Sequence, residues 1–239
     1  MHAALQFETV TKRFGRQVVL NGLSLTVQTG EFMGLVGVNG AGKTTLIKCL
    51  LNFCDIDGGH IEIFGTNHNQ TEARARLAFL PERFAAPPFA TGEEFLRYMG
   101  RLHGQPDDPT AIQETLAALD LDGEALRKPV RQLSKGMSQK LGLMATLLSG
   151  KELLVLDEPM SGLDPKARAL LKQHLFKLKE QGHTLFFSTH LLPDVSALCD
   201  RMAILHGGGL RYVGTPDGCR VAYGADTLET AYLRCVGGG

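Results

Sequence analysis

Gly37-Val38-Asn39-Gly40-Ala41-Gly42-Lys43-Thr44 is the stretch whose reading decides the fold. It fits G-x-x-x-x-G-K-[ST] at every fixed position. Ahead of it, Phe32 to Val36 is a short apolar run that reads as a strand. Behind it, Lys43 to Leu51 reads as a helix with Leu46, Ile47, Leu50 and Leu51 on one face. Between strand and helix, glycines let the backbone curl so that successive N–H groups converge on phosphate oxygens. The helix turns its positive end and unpaired donors toward the same anion. Residues Gly37, Val38, Asn39, Gly40, Ala41, Gly42, Lys43, Thr44 and Thr45 are therefore the candidate nucleotide-binding set. Lys43 is expected to neutralise the β- and γ-phosphates, and the Thr44 hydroxyl to ligate Mg²⁺. Alone, the loop specifies a nucleoside triphosphate and does not separate kinases, GTPases and ATPases.

Upstream, the chain is β-rich. Leu5, Phe7 and Thr9 are expected on one face of a strand and Gln6 and Glu8 on the other, with Val18–Leu20 and Leu23–Val27 as further strands. Ile61–Phe64 and Leu77–Leu80 continue the pattern. From Phe84 the composition changes: Ala85-Ala86-Pro87-Pro88 is a loop, and Thr91-x-x-Glu94 is a capping box. Helices are expected over 91–103, 108–118 and 134–148. Strand and helix alternate again afterwards, in Leu153–Leu156, Pro165–Glu180, Thr184–Ser188, Pro193–Cys199 and Met202–Leu205. This order implies an α/β fold with a mostly parallel sheet covered by helices, and a helical subdomain over 84–150 inserted between 1–83 and 151–239.

Leu153 to Leu156 is apolar enough for burial on both faces, and Asp157 and Glu158 follow at its end. In a parallel sheet that end faces the ligand crevice. Asp157 is the candidate Mg²⁺ partner, and Glu158 the group that polarises or deprotonates an attacking water. His190 ends another apolar strand in Ser188-Thr189-His190. A lone histidine is more often structural than catalytic, but this position lets an imidazole hold water and γ-phosphate in line. Glu158, His190 and Lys43 are the catalytic candidates.

Composition narrows the partners. Twenty-five basic residues balance twenty-five acidic ones, so no general nucleic-acid footprint is present and no nucleic-acid partner is expected. The most apolar stretch, around Leu141–Leu148, is far short of the ~20 residues that cross a bilayer. The N-terminus lacks the basic and apolar regions of a signal peptide, so a cytoplasmic location is expected, with any membrane role supplied by a partner. Cys49, Cys54, Cys199, Cys219 and Cys235 form no C-x-x-C pair and read as free thiols in a reducing compartment.

With these motifs in hand, the chain resembles the ATP-binding subunit of an ABC transporter over nearly its whole length. The signature that family places ahead of the strand ending in Asp157-Glu158 is typically L-S-G-G-Q; here it reads Leu133-Ser134-Lys135-Gly136-Met137. Ser134 is suited to cap the following helix, and with the Gly136 N–H it forms an anion-binding end. The resemblance implies a P-loop NTPase (RecA-like) core, an N-terminal antiparallel β-subdomain and a helical signature subdomain. It implies ATP and Mg²⁺ as ligands, with Ser134 and Gly136 binding the γ-phosphate held by a second subunit. A homodimer or a close ABC heterodimer follows, docked on an integral-membrane permease at the cytoplasmic face. Phe14 resembles the aromatic residue that stacks on adenine, against the alternative of a core phenylalanine. Asp164, in Ser161-Gly162-Leu163-Asp164, resembles the D-loop that links the two sites, and also suits a cap on the helix at Pro165.

Two positions depart from the family pattern. Glu82, in Leu80-Pro81-Glu82, stands where most members have glutamine; it still offers oxygen to Mg²⁺ but adds negative charge. Lys135 and Met137 replace glycine and glutamine in the signature. L-S-K-G-M with L-P-E, and no added C-terminal domain, resembles ATPases paired with separately encoded permeases, often exporters. The loop Phe84–Pro88 and Phe89 are expected to seat a permease helix or, on the plainer reading, to pack against the helical subdomain. The alternatives are a soluble single-cassette ATPase in cofactor assembly and a scaffold that binds nucleotide without hydrolysis. The last 25 residues, Thr215 to Gly239, resemble the family's closing helix, with Leu228, Ala231, Tyr232 and Cys235 facing inward and Gly237-Gly238-Gly239 unstructured.

Overall fold

A long hairpin opens the chain. The computed structural model describes residues 2–237, and in it β1 (Ala3–Phe14) pairs antiparallel with β2 (Gln17–Gln28). β4 (Gly58–Ile63) and β5 (Thr66–Asn67) complete a four-stranded sheet in the order β2-β1-β4-β5. The expected alternation holds for Leu5 and Phe7 and then fails at Thr9. There the register slips, φ is +46°, Thr9 is exposed and Val10 takes the buried position. A bulge adds one residue to one strand, and that resets a period of two. Val18–Leu20 and Leu23–Val27 are parts of one strand, bent at Gly22, whose N–H donates to Thr11 Oγ1 at 3.1 Å.

The second sheet runs β10-β9-β3-β8-β7-β6. It comprises β3 (Phe32–Val36), β6 (Leu77–Leu80), β7 (Leu153–Asp157), β8 (Thr184–Thr189), β9 (Arg201–His206) and β10 (Gly209–Gly214). All neighbours are parallel except β9 and β10. Every residue of β3, β7 and β8 is buried. The reason is visible in β7: Leu153 and Val155 pack toward the antiparallel sheet and α1 (Lys43–Leu50), while Leu154 and Leu156 pack toward the helices of the other face. Both faces need apolar side chains, so period-two alternation disappears.

Those helices are α2 (Gly92–His103), α3 (Pro109–Ala118), α4 (Gly123–Leu126), α5 (Lys135–Leu147) and α6 (Pro165–Glu180). The starts of α2, α3, α5 and α6 were legible because polar side chains cap them, whereas the single-turn α4, capped by Asp122, was not expected. Thr91 and Glu94 form the reciprocal capping box, Asp108 caps α3, Ser134 caps α5 and Asp164 caps α6. Each such cap contributes about 1 kcal/mol. Phe84 lies inside this layer, edge-on to Phe95 at 5.5 Å and pressed against Gly142. α7 (Leu192–Leu198), α8 (Pro216–Ala222) and α9 (Leu228–Gly237) cover the β9 side. The expected single closing helix is thus two, with Leu228 and Ala231 buried and Tyr232 and Cys235 packed against them, facing inward as expected. Gly237 is helical, and Gly238 and Gly239 lie outside the described residues.

Candidate active site

Four loops leave the carboxyl edge of the parallel sheet on adjacent strands. They carry the phosphate loop after β3, His190 after β8, Glu158 after β7 and Glu82 after β6. α1 anchors the first of these by burying Leu46, Ile47 and Leu50 completely, at about 2 kcal/mol each. Its N-terminus has no side-chain cap. Gly42 takes φ +109°, and a Cβ there would lie 3.1 Å from the Val19 carbonyl oxygen. The first backbone bond into the helix runs from the Leu46 N–H to the Gly42 carbonyl at 2.9 Å. Among the described residues, the N–H groups of Lys43, Thr44 and Thr45 ahead of it have no partner, which leaves them for an anion.

The Lys43 ammonium is buried and donates to the carbonyls of Gly37 (2.7 Å) and Val38 (3.3 Å). Its Nζ also lies 3.3 Å from Glu158 Oε1. That contact is an ion pair outside hydrogen-bond geometry, so Oε1 is a buried acceptor with no donor. The other oxygen, Oε2, lies 2.9 Å from His190 Nδ1. Glu158 therefore bridges the lysine of one loop and the histidine of another. It does so with φ +50°, a left-handed backbone that is unfavourable by about 1–3 kcal/mol for a residue with a side chain. Strain of this kind persists where the surroundings over-determine it.

Asp157, 1% exposed, accepts a hydrogen bond from the Ser188 hydroxyl. The same hydroxyl oxygen accepts from the Glu158 N–H at 3.0 Å. Ser188 stood in the sequence beside His190 with nothing to mark it; only strand order β8-β7 brings it level with Asp157. The signal available was a serine in a strand otherwise apolar from Leu185 to Phe187.

The residues fit a nucleoside triphosphate with a hard divalent cation. Free N–H donors, a buried ammonium and a glycine that a side chain would obstruct form the phosphate end. Thr44 and Asp157 carry side-chain oxygens suited to a hard cation, and among the described residues no cluster of three or more His, Cys, Asp or Glu could cage a metal. A cation there would be held by few protein oxygens and mainly by phosphates and water, the coordination that Mg²⁺ accepts.

The remaining expected residues lie apart. Phe14 is 53% exposed, pairing with Gln17 on the hairpin whose Val19 carbonyl stands where a Gly42 Cβ would go, and Lys12 Nζ stands 5.3 Å over its ring. Glu82 is exposed at the carboxyl edge and makes no hydrogen bond or ion pair among the described residues. Ser134 is exposed, and its Oγ accepts from the Met137 N–H at 3.2 Å. No hydrogen bond or ion pair among the described residues joins Ser134 or Gly136 to the phosphate loop. Gly136 has an ordinary backbone, and a Cβ on it would meet nothing nearer than the Gly162 carbonyl oxygen at 3.6 Å. Asp164 caps α6 through Ala167 N–H (2.9 Å) and sits 3.6 Å from Lys140 Nζ; the Ala167 bond is the main cause of its lowered pKa.

The ABC transporter family model matches residues 20–161. The chain belongs to the ABC transporter family. An uncharacterized ABC transporter ATP-binding protein of Synechocystis is 43% identical over 200 residues, 82% of this chain and 56% of that protein. The Nod factor export ATP-binding protein I of Burkholderia lata is 38% identical over 232 residues, covering 95% of this chain and 76% of the relative. A solved structure of the ATP-binding subunit of an ABC transporter superposes with TM-score 0.88 at 29% identity, covering 97% of this chain and 99% of that one. The ABC chain thus has the P-loop NTPase cassette fold. It spans little more than half the length of the Synechocystis relative.

Proposed function

We propose that this ABC chain binds and hydrolyses ATP as one of two ATPase subunits that drive a separate membrane permease, in the export direction. The observation that carries the reading is the contact chain Lys43–Glu158–His190 at the carboxyl edge of the sheet. The β- and γ-phosphates bind the N–H groups at the start of α1, and the buried Lys43 ammonium neutralises them. Thr44 and Asp157, with Glu82, would hold Mg²⁺, which supplies charge screening at the phosphate oxygens. Glu158 polarises the attacking water and accepts its proton, a step that contributes about 10²–10⁴-fold. His190 holds water and γ-phosphate in line.

The second subunit completes the site. Gly136 is a glycine that its own fold does not require, which supports close approach by a group from outside the chain. That group is the γ-phosphate on a partner subunit, received by Ser134 and the free N–H groups of α5, with Asp164 linking the two sites. Met137 packs against the helical layer, so its departure from the family pattern serves the core, while Lys135 remains exposed beside the anion end. Residues 84–150 are the helical unit that passes the motion on. Phe84 packs internally, as the plainer reading had it, whereas Phe89, Tyr98 and Leu102 are 78, 58 and 62% exposed. An apolar surface of this kind suits a permease helix. The partner would hold the chain at the cytoplasmic face; none of the described helices is itself long and apolar enough to cross a membrane. Export is supported by L-S-K-G-M with L-P-E and by the Nod factor export relative.

The test is ATP hydrolysis by the purified chain, with its permease in vesicles, beside Glu158→Gln. The wild type is expected to hydrolyse MgATP, and Glu158→Gln to lose at least about 10²-fold while trapping an ATP-bound dimer on gel filtration. A wild type that binds ATP and never hydrolyses it, even with a permease, would overturn the hydrolytic role. Full hydrolysis with no permease to be captured would favour a soluble cassette.

A further inference from the structure

We infer that Ser188 is the positioning residue of the strand-end acids: its hydroxyl, donating to Asp157 and accepting the Glu158 N–H, sets both carboxylates for hydrolysis. The inference rests on the reading of Glu158 as the group that activates water. Ser188 is 0% exposed on β8, in register with Asp157 of β7. Its neighbours Leu185, Phe186 and Phe187 are buried apolar residues, so packing alone would favour an alanine or a valine here. A buried hydroxyl without partners is unfavourable, and this one is paired on both sides.

A serine hydroxyl offers one donor and two acceptor positions. The donor engages Asp157 Oδ1, which fixes the rotamer of that carboxylate. One acceptor position engages the Glu158 N–H at 3.0 Å, which also lies 3.2 Å from the Ser188 carbonyl oxygen. The Glu158 N–H is therefore clamped by both oxygens of a single residue. The clamp acts on the one backbone position of the site that is strained, φ +50°. With that φ held, the Glu158 side chain spans Lys43 at 3.3 Å and His190 at 2.9 Å. An alanine at 188 would leave the N–H only the carbonyl and would leave Asp157 free to rotate. Ser188 is wholly buried with its hydroxyl engaged by Asp157 and the Glu158 N–H, so it acts through the two acids.

The experiment compares Ser188→Ala with Ser188→Thr, which keeps the hydroxyl, and Ser188→Cys, which keeps the shape with a weak donor. In hydrolysis assays run with the permease, Ser188→Ala and Ser188→Cys are expected to lower kcat at least about tenfold with KM for ATP within about threefold. Ser188→Thr is expected to stay near wild type. In the ligand-free chain, amide exchange over Glu158–Ser161 should accelerate in Ser188→Ala and Ser188→Cys and remain slow in Ser188→Thr. A wild-type kcat in Ser188→Ala, unchanged exchange, or equal damage from alanine and threonine would overturn the inference. So would a loss of hydrolysis accompanied by an equal loss of ATP binding. If the wild type hydrolyses nothing while the exchange pattern appears as expected, the clamp stands and the reading of Glu158 fails.

Discussion

The starts of α1 and α5, the two proposed phosphate sites of this ABC chain, are built differently. At α1 the chain demands its glycine: Gly42 sits at φ +109° with the Val19 carbonyl where a side chain would go, and a buried lysine and glutamate, with the exposed His190 beyond them, close around the loop. At α5 the chain demands nothing of the kind. Gly136 has room for a Cβ, and Ser134 is exposed. One start is furnished by its own fold, and the other is presented outward. The contrast is what a site shared between two subunits requires, since a half that completes itself internally has nothing to offer a partner.

The largest effect expected from breaking this contrast is Gly42→Ala, which should abolish ATP binding measured by titration with a fluorescent analogue. A Cβ at that backbone meets the Val19 carbonyl and its φ is strained besides. Gly136→Ala should do the opposite to the fold. It removes a glycine from a helix, which stabilises by up to about 1 kcal/mol, so Tm should hold or rise while hydrolysis falls at least about tenfold. A Gly136→Ala protein with wild-type hydrolysis would show that no partner group approaches that residue.

Mixing sharpens the comparison further. Lys43→Ala and Ser134→Arg should each be inactive alone, one through its own site and one through its partner's. Combined, they form a heterodimer with one intact composite site, and hydrolysis should return. A mixture as inactive as its components would mean that the two helix starts do not serve one site. Asp164→Ala follows, with loss of the α6 cap at about 1 kcal/mol, read as a fall in Tm of a few degrees.

The smallest effect is on pH. Burial lowers the pKa of His103 on α2 and of His174 on α6 below the ordinary 6.5. The unfolded chain then binds protons that the folded chain refuses, so stability should fall as pH drops below 6.5. Replacing His174 with glutamine should flatten the Tm profile there. An unchanged profile would remove His174 from the account.

Much of this was legible beforehand. The start of α1 and the caps Thr91, Asp108, Ser134 and Asp164 are local chemistry, in which side chain and backbone partner lie within three residues of each other. β7 was legible because burial on both faces leaves an apolar run. The bulge at Thr9 was not, since its cause is pairing with strands far along the chain. Phe84 reads as a loop residue, and only the fold of α2 against α5 takes it inside.

By itself the sequence determined that Gly37–Thr44 forms a phosphate loop, that acids and a histidine follow apolar strands, and that Ser134 caps a helix. Each depends on neighbours in the chain. Only the tertiary structure decided that Glu158 bridges Lys43 and His190 and that Ser188 grips both Asp157 and Glu158. Those contacts span 30 residues or more for Ser188 and Glu158, and strand order, which no local pattern encodes, sets them.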